Sequence, residues 1–321
     1  MIPADEAIAR FAADLDALVA PGARIGIAAS GGSDSLALLL LAAAARPGLI
    51  AAASVDHALR AGSRAEVETV ARLCGTLGVQ HEVLTVDWPA LPQTALQEQA
   101  RVARYAALGR WAGANGLASV ATGHHADDQA ETFVMRLMRG AGVRGLAAMR
   151  VAAPLPGASE VVLLRPLLGW RRAELVAIVA GARVAATDDP SNHDERHERV
   201  RIRHLLAASP WLDVAALAKS CAHLAAADDA IDYAVAREWG RVRSQDGALW
   251  FEPLDTPDEI RRRIVARIVA ALGGEGDSSA LRGRELDQLL ARLELGSSAT
   301  LRGVRASGGP EWRFVRSPAR R

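Results

Sequence analysis

The chain has 321 residues, 50% of them apolar and only 4% aromatic, so a sizeable core must be built mainly from Ala, Leu and Val, and the length suits two domains better than one. No apolar run approaches the roughly 20 residues that span a bilayer, and the acid-bearing start MIPADEAIARF lacks a signal-peptide layout. The expectation is a cytoplasmic protein without membrane contact. Two cysteines far apart argue against a zinc or disulfide framework, and a net charge of +1 argues against nucleic-acid binding driven by global charge. With Lys219 the only lysine, nearly all the positive charge is arginine.

In chain order, residues 23–30 (ARIGIAAS) read as a short buried strand, and a helix from Ser33 to Ala45 opens directly after two glycines. Residues 49–57 (LIAAASVDH) read as a second strand. Ser63 and Glu66 form a capping-box pattern that starts another helix. HEVLTVD (81–87) is a third strand, followed by a long helix over about 95–115. LASVATGHH (117–125) is a fourth strand, ADDQAETFVMRLM a further helix, and VVLLRPLLGW (161–170) adds another strand. Continuous apolar strands alternating with helices predict an α/β fold, a parallel doubly wound sheet covered on both faces.

The character then changes. TDDPSNHDERHERVRIRHLLAASP is polar and charged, with Pro190 and Pro210 near its ends. A boundary near 208 divides a catalytic domain, 1–208, from a smaller, mainly helical C-terminal region, 209–321. The latter reads as helix over 211–244, and as a helix start with Thr256 as N-cap, Pro257 in the first turn and Glu259 closing the box. A helix over 282–294 follows, then two short strands around Gly308-Gly309-Pro310.

The chemistry concentrates at the first glycines. In Ser30-Gly31-Gly32-Ser33-Asp34-Ser35 the glycines let backbone approach an anion, the helix N-terminus presents amides to it, and the serines add hydroxyls. The loop lacks the lysine of a Walker A motif and does not match GxGxxG, and on composition alone an ordinary tight turn remains open. Further polar groups sit at carboxyl ends of predicted strands: Asp56-His57 after the second, and His124-His125 with Asp127, Asp128 and Glu131 after the fourth. Such ends gather at one ligand-binding edge. The spacing i, i+4, i+7 sets His124, Asp128 and Glu131 on one helix face. Acids that satisfy a helix dipole would account for Asp127 and Asp128, but not for two histidines as well. Neither HxH nor HExxH spacing appears there, which leaves zinc catalysis as a weak variant.

The hexapeptide at 30–35 resembles the PP-loop of the N-type ATP pyrophosphatases. The resemblance implies an adenine nucleotide alpha hydrolase-like fold and cleavage of ATP to AMP and pyrophosphate through an adenylated intermediate. TGHHADDQAETFVMRLMRGAGVRGLAAM (122–149), VDHALR (55–60), RVARY (101–105), RPLLGWRR (165–172) and DDPSN (188–192) look like the signature of the tRNA(Ile)-lysidine synthase family. Together these strings cover 25 to about 205 in the family's order, and the rest matches loosely. The family implies that ATP adenylates the 2-carbonyl oxygen of the wobble cytidine of a tRNA(Ile) with a CAU anticodon. The ε-amine of free L-lysine then displaces AMP.

On that resemblance Ser30, Gly31, Gly32, Ser33, Asp34, Ser35, Asp56 and His57 bind ATP, Asp34 and Asp128 hold Mg²⁺, and Glu131 receives the lysine ammonium. His124 assists Glu131 or steadies charge on the phosphate. Where the family often has Arg-Asn-x-Ile-Arg, this chain has Arg199-Val200-Arg201-Ile202-Arg203, which keeps the arginines and loses the asparagine. Arg199, Arg201 and Arg203, with Arg139 and Arg144 of the arginine-rich, glycine-rich run 136–150, are the expected tRNA contacts. The arginines of 301–321, interleaved with Trp312 and Phe314, form a second basic patch that suits backbone and stacked bases. A homodimer is compatible with the sequence. Two alternatives stay open: a PP-loop tRNA thiolase, which would need catalytic cysteines, and a non-catalytic nucleotide-binding module.

Overall fold

The computed structural model describes residues 3–57, 63–88, 96–187, 194–273 and 283–317, and the chain divides into two compact units, Met1–Ala225 and Ala226–Arg321. The first holds a six-stranded sheet made of β1 (Ile25–Ala28), β2 (Ile50–Asp56), β3 (Gln80–Thr85), β4 (Ser119–Ala121), β5 (Ala152–Leu155) and β6 (Ala158–Leu164), in the order β3-β2-β1-β4-β6-β5. All neighbours pair in parallel except β5, which turns back antiparallel on β6.

Both sheet faces are covered, as the unbroken apolar strands require. On one face Ile25, Ile27, Ile50 and Ala52 share a core with α1 (Asp5–Asp16), α2 (Ser33–Ala45), α3 (Ser63–Leu77) and α7 (Arg172–Gly181). On the other, Ala51, Ala53, Val120 and Leu163 meet Tyr105, Leu108 and Trp111 of α4 (Leu96–Ala114). Helix α2 is apolar all round because it is buried all round: Leu36 to Leu41 are each 0% exposed. Each such leucine contributes about 1.5–3 kcal/mol by burial. Gly26 alternates with the isoleucines of β1 because a Cβ there would lie 2.6 Å from the Trp111 ring. Helix α5 (Ala126–Leu137) packs through Ala130 on Ile202 and Leu206 of α8 (Glu198–Ala207). Val200, where the family often has Asn, is 4% exposed on α8, a position suited to an apolar side chain.

The run after α5 is less loose than its glycines suggest. It contains α6 (Val143–Leu146). Arg136 Nη1 donates to Gly145 O at 2.7 Å and Ala148 O at 3.1 Å, and Gln129 exchanges two hydrogen bonds with the backbone of Met149 at 2.9 and 2.8 Å.

The unit division falls inside α9 (Val214–Trp239), beyond the position near 208 read from composition. The second unit is helical, as expected, but its strands number more than two. β7 (Arg243–Gln245), β8 (Ala248–Phe251), β9 (Ser298–Leu301), β10 (Val304–Ser307) and β11 (Trp312–Arg316) form an antiparallel sheet in the order β7-β8-β11-β10-β9. Its core joins Phe251, Trp312 and Phe314 to α10 (Asp258–Leu272) and α11 (Gly283–Glu294). Trp312 and Phe314 are 2% and 0% exposed, so they are core residues and offer no stacking surface for bases. The box expected at Thr256 does not form. Pro257 is the N-cap of α10, Thr256 Oγ1 turns to Glu238, and Glu259 pairs with Arg263.

Candidate active site

Strand order reverses between β1 and β4, and the carboxyl ends of these neighbours open the crevice where a doubly wound sheet binds ligands. From β1 the chain enters Ser30 to Ser35. Gly31 has φ 86°, the left-handed region that penalises a side chain. Gly32, with φ −73° and ψ 157°, is the N-cap of α2. The turn is braced from within. Ser30 N donates to Ser35 Oγ at 3.0 Å, Ser35 Oγ donates to Gly32 O at 3.0 Å, and Thr187 N donates to Gly31 O at 3.0 Å. Ser35, 7% exposed, is a strut of the loop, and Ser33 Oγ donates to Asp34 Oδ1 at 3.1 Å. Above this frame lie the first-turn amides of α2, which have no intrahelical acceptors and carry the positive end of the dipole.

The two glycines differ in what a side chain would meet. A Cβ on Gly32 would meet only Ser30 Oγ, at 3.9 Å. Gly32→Ala is therefore expected to keep the melting temperature and lose AMP formation, because only a bound phosphate collides with the new methyl. Gly31→Ala is expected to destabilise the chain itself by about 1–2 kcal/mol. Thermal unfolding beside AMP release checks both; full turnover by Gly32→Ala would exclude phosphate at this loop.

From the other side comes the exit of β4. A Cβ on Gly123 would sit 2.8 Å from Asp34 O and 3.0 Å from Ser35 N, so only glycine lets this segment press against the start of α2. His124 does not share a helix face with Asp128 and Glu131. Helix α5 begins at Ala126 with His125 as its N-cap, which leaves His124 outside the helix with Nδ1 2.8 Å from Thr122 Oγ1. Burial, with lesser effects of Arg165, Arg101 and Arg199 and against the pull of Asp128, pushes the His124 pKa down to about 4. It is a neutral imidazole near pH 7.

The residue that joins the carboxylates is His125, 2% exposed. Its Nε2 lies 3.5 Å from Asp34 Oδ2 and 3.6 Å from Asp128 Oδ2, and its Nδ1 accepts from Asp128 N at 3.4 Å. Burial opposes charge on this ring, but Asp34, Asp128 and Asp127 outweigh it and raise its pKa. Burial likewise opposes charge on Asp34, and His125, Arg172 and Ser33 outweigh it, so Asp34 stays ionised below the usual carboxylate range. Asp127 is occupied elsewhere: it accepts from Arg172 N at 2.8 Å and from Arg171 Nε at 3.2 Å, tying α5 to the start of α7. The His124-His125 pair offered two candidates, and the N-cap position beside Asp127-Asp128 was the available signal for the second.

One helical turn beyond Asp128, Glu131 is 1% exposed. Arg203 Nε donates to its Oε1 at 2.7 Å, and Arg199 Nε lies 3.3 Å from Oε2 while Arg199 Nη2 donates to Thr132 Oγ1 at 3.1 Å. Burial raises the Glu131 pKa against the pull of these arginines. Arg201 Nη1 donates to the carbonyls of Glu195 and Arg196 at 2.9 and 3.0 Å, Arg139 pairs with Glu198, and Arg144 is exposed on α6. Asp56 ends β2 and His57 follows it. His57 O accepts from Trp88 Nε1 at 2.8 Å, and both buried ring nitrogens of His57 lack a hydrogen-bond partner among the described residues. Residues 58–60 of VDHALR, 188–192 of DDPSN, and Arg320 and Arg321 lie outside the described residues.

Among the described residues no cluster of three or more His, Cys, Asp or Glu forms a metal cage. Asp34 and Asp128, sharing His125 as a neighbour, fit the sparse carboxylate set by which Mg²⁺ is held together with substrate phosphates.

Residues 4–209 match the PP-loop domain family. A tRNA(Ile)-lysidine synthase of Novosphingobium aromaticivorans is 50% identical over 317 residues, covering 98% of this chain and 95% of its own length. That of Zymomonas mobilis is 40% identical over 301 residues, covering 93% of this chain and 90% of its own. Among solved structures, a U34-tRNA thiolase of Methanococcus maripaludis superposes with a TM-score of 0.58 at 15% identity, covering 68% of this chain and 78% of that one, a likeness of fold alone.

Proposed function

The chain belongs to the tRNA(Ile)-lysidine synthase family, and from that premise we propose that it activates the wobble cytidine of a tRNA(Ile) with a CAU anticodon and joins free L-lysine to it. ATP adenylates the cytidine 2-carbonyl oxygen and releases pyrophosphate. The lysine ε-amine then attacks C2, a C–N bond forms, the C–O bond to AMP breaks, and the protons of the ammonium pass to a base. The observation that carries this reading is the convergence of Asp34, His125 and Asp128 on the PP-loop at the β1/β4 crevice, with Glu131 one turn further along α5.

In this reading the first-turn amides of α2 hold the phosphates, and Asp34 and Asp128 hold Mg²⁺, which neutralises phosphate charge. His57, whose two ring nitrogens lack a hydrogen-bond partner among the described residues, and Asp56 belong to the nucleotide side. Glu131 takes the lysine ammonium, and its raised pKa makes it the stronger base for the proton the amine must lose. Glu131→Gln keeps the shape and removes that capacity. It is expected to raise the lysine KM at least ~10-fold and leave tRNA adenylation intact; equal loss of both steps would place Glu131 in the first.

The C-terminal region, 209–321, binds and positions tRNA, and exposed Arg305, Arg313 and Arg316 on β10 and β11 suit phosphates. We place the enzyme in the cytoplasm with its RNA substrate; no helix among the described residues is long and apolar enough to cross a membrane. A sulfur-transfer reading would require cysteines at the ATP site. Cys74 and Cys221 are both buried, in α3 and α9, and burial pushes each thiol up to about 11. The non-catalytic reading does not explain why Asp34 of α2 and Asp128 of α5 both lie beside His125 at the phosphate loop.

The test is ATP–pyrophosphate exchange. With cognate tRNA and no lysine, exchange is expected. Exchange that needs lysine and no tRNA would mean that the amino acid is activated and would overturn this order of steps.

A further inference from the structure

We propose that His125 is the positioning residue of the phosphate site, a strut that sets the Asp34 carboxylate on α2 against the Asp128 carboxylate on α5. The inference rests on the reading of Asp34 and Asp128 as phosphate-side ligands.

Three features of the ring carry it. It is buried, with 2% exposure, so its orientation is set by packing and not by solvent. Its Nδ1 accepts from Asp128 N at 3.4 Å, which closes the first turn of α5 and makes it a capping residue of that helix. An accepting Nδ1 leaves the ring proton on Nε2, and that nitrogen lies 3.5 Å from Asp34 Oδ2 and 3.6 Å from Asp128 Oδ2. One imidazole nitrogen thus lies within 3.6 Å of two carboxylates from different helices. A helix cap alone needs only the first contact, and Ser, Thr, Asn or Asp would serve it better. The second contact is what an imidazole adds. Asp128 is held from both sides, since its Oδ2 also accepts from His125 N at 3.1 Å. Two anionic groups facing one site repel each other, and a donor between them offsets that repulsion before any ligand arrives.

The experiment separates the cap from the strut. In His125→Asn the side-chain oxygen replaces Nδ1 as acceptor for Asp128 N but does not reach Asp34. In His125→Gln the amide nitrogen stands near the place of Nε2. Binding of Mn²⁺ in the presence of a non-hydrolysable ATP analogue is measured by electron paramagnetic resonance, beside the Mg²⁺ concentration that half-saturates adenylation and the melting temperature. His125→Asn is expected to weaken Mn²⁺ binding ~10–100-fold, the usual effect of losing a group that orients metal ligands, at an unchanged melting temperature and tRNA KM. His125→Gln is expected to recover most of the affinity. Wild-type Mn²⁺ affinity in His125→Asn would reduce His125 to a cap. Equal losses in both variants with a lowered melting temperature would make it a packing residue. Failure of the wild-type protein to bind nucleotide-dependent Mn²⁺ at all would instead overturn the phosphate-site reading.

Discussion

Asp34→Asn is expected to abolish adenylation while the protein stays folded. Asp34 stands in the first turn of α2, 3.5 Å from His125 Nε2, and the groups around it hold it ionised despite burial. Asn preserves the shape and removes the charge. The structural cost is small, because an acid near a helix N-terminus is worth only about 0.3–1 kcal/mol. The catalytic cost is large, because a carboxylate beside a triphosphate is useful only where a cation lies between them, and losing one preorganised electrostatic group at a reacting phosphate costs ~10²–10³-fold or more. Asp34 also carries the sign of the pH dependence. Its folded-state pKa is depressed, so the ionised form and its stabilising contacts are present above its unfolded-state pKa and lost as the pH falls through the lower folded value. The measurement is AMP release against denaturant midpoint. A variant within about tenfold of wild type would be too active for a metal-holding carboxylate at this step.

Arg263→Met is expected to have the largest effect on stability. Arg263 is 8% exposed in the second unit. Its Nη1 meets Asp228 at 2.7 Å and Asp232 at 2.8 Å, and its Nε meets Glu259 at 2.8 Å. Burial opposes the guanidinium charge, and the hydrogen bonds of Glu259, Asp232 and Asp228 outweigh it and raise the pKa. Methionine fills much of the volume but strips Asp228, 3% exposed, of its guanidinium partner. Removing one member of such a buried set typically costs about 3–5 kcal/mol, a large share of the roughly 5–15 kcal/mol that holds a domain folded. Urea unfolding followed by tryptophan fluorescence is expected to show an early transition. A loss under about 1 kcal/mol would mean that solvent or neighbouring groups already satisfy the acids.

Much of the first unit was legible because its central strands β1, β2 and β4 are buried on both faces and read as mainly apolar runs, as in IAAA of β2. The PP-loop was legible because phosphate approach, φ 86° at Gly31 and an acid in the first helical turn all require particular residue types. The second unit was harder, and for particular reasons. β7 and β8 are short, and β7 is polar and exposed throughout, but Asp246-Gly247 between them, at φ 50° and 71°, is the signature of a tight hairpin turn and was present in the sequence. Trp312 and Phe314 alternate with arginines, and that period of two marks one buried strand face as well as it marks an RNA platform; burial decides for the core. At Thr256 the pattern for a capping box was present, but Glu259 is drawn to the buried Arg263 one turn along α10, and that i,i+4 ion pair prevails over the cap. That His124 falls outside α5, with His125 as its N-cap, turned on one residue of helix start, which periodicity does not resolve.

The reaction proposed for this enzyme requires that lysine itself be joined to the tRNA. The enzyme is incubated with ATP, Mg²⁺, isotope-labelled free lysine and tRNA(Ile) bearing CAU, and the digested nucleosides are read by mass spectrometry. The predicted product is a cytidine heavier by one labelled lysine less one water, formed together with equal amounts of AMP and pyrophosphate. A nucleoside that gains sulfur, or ATP turnover that leaves every cytidine unlabelled, would contradict it.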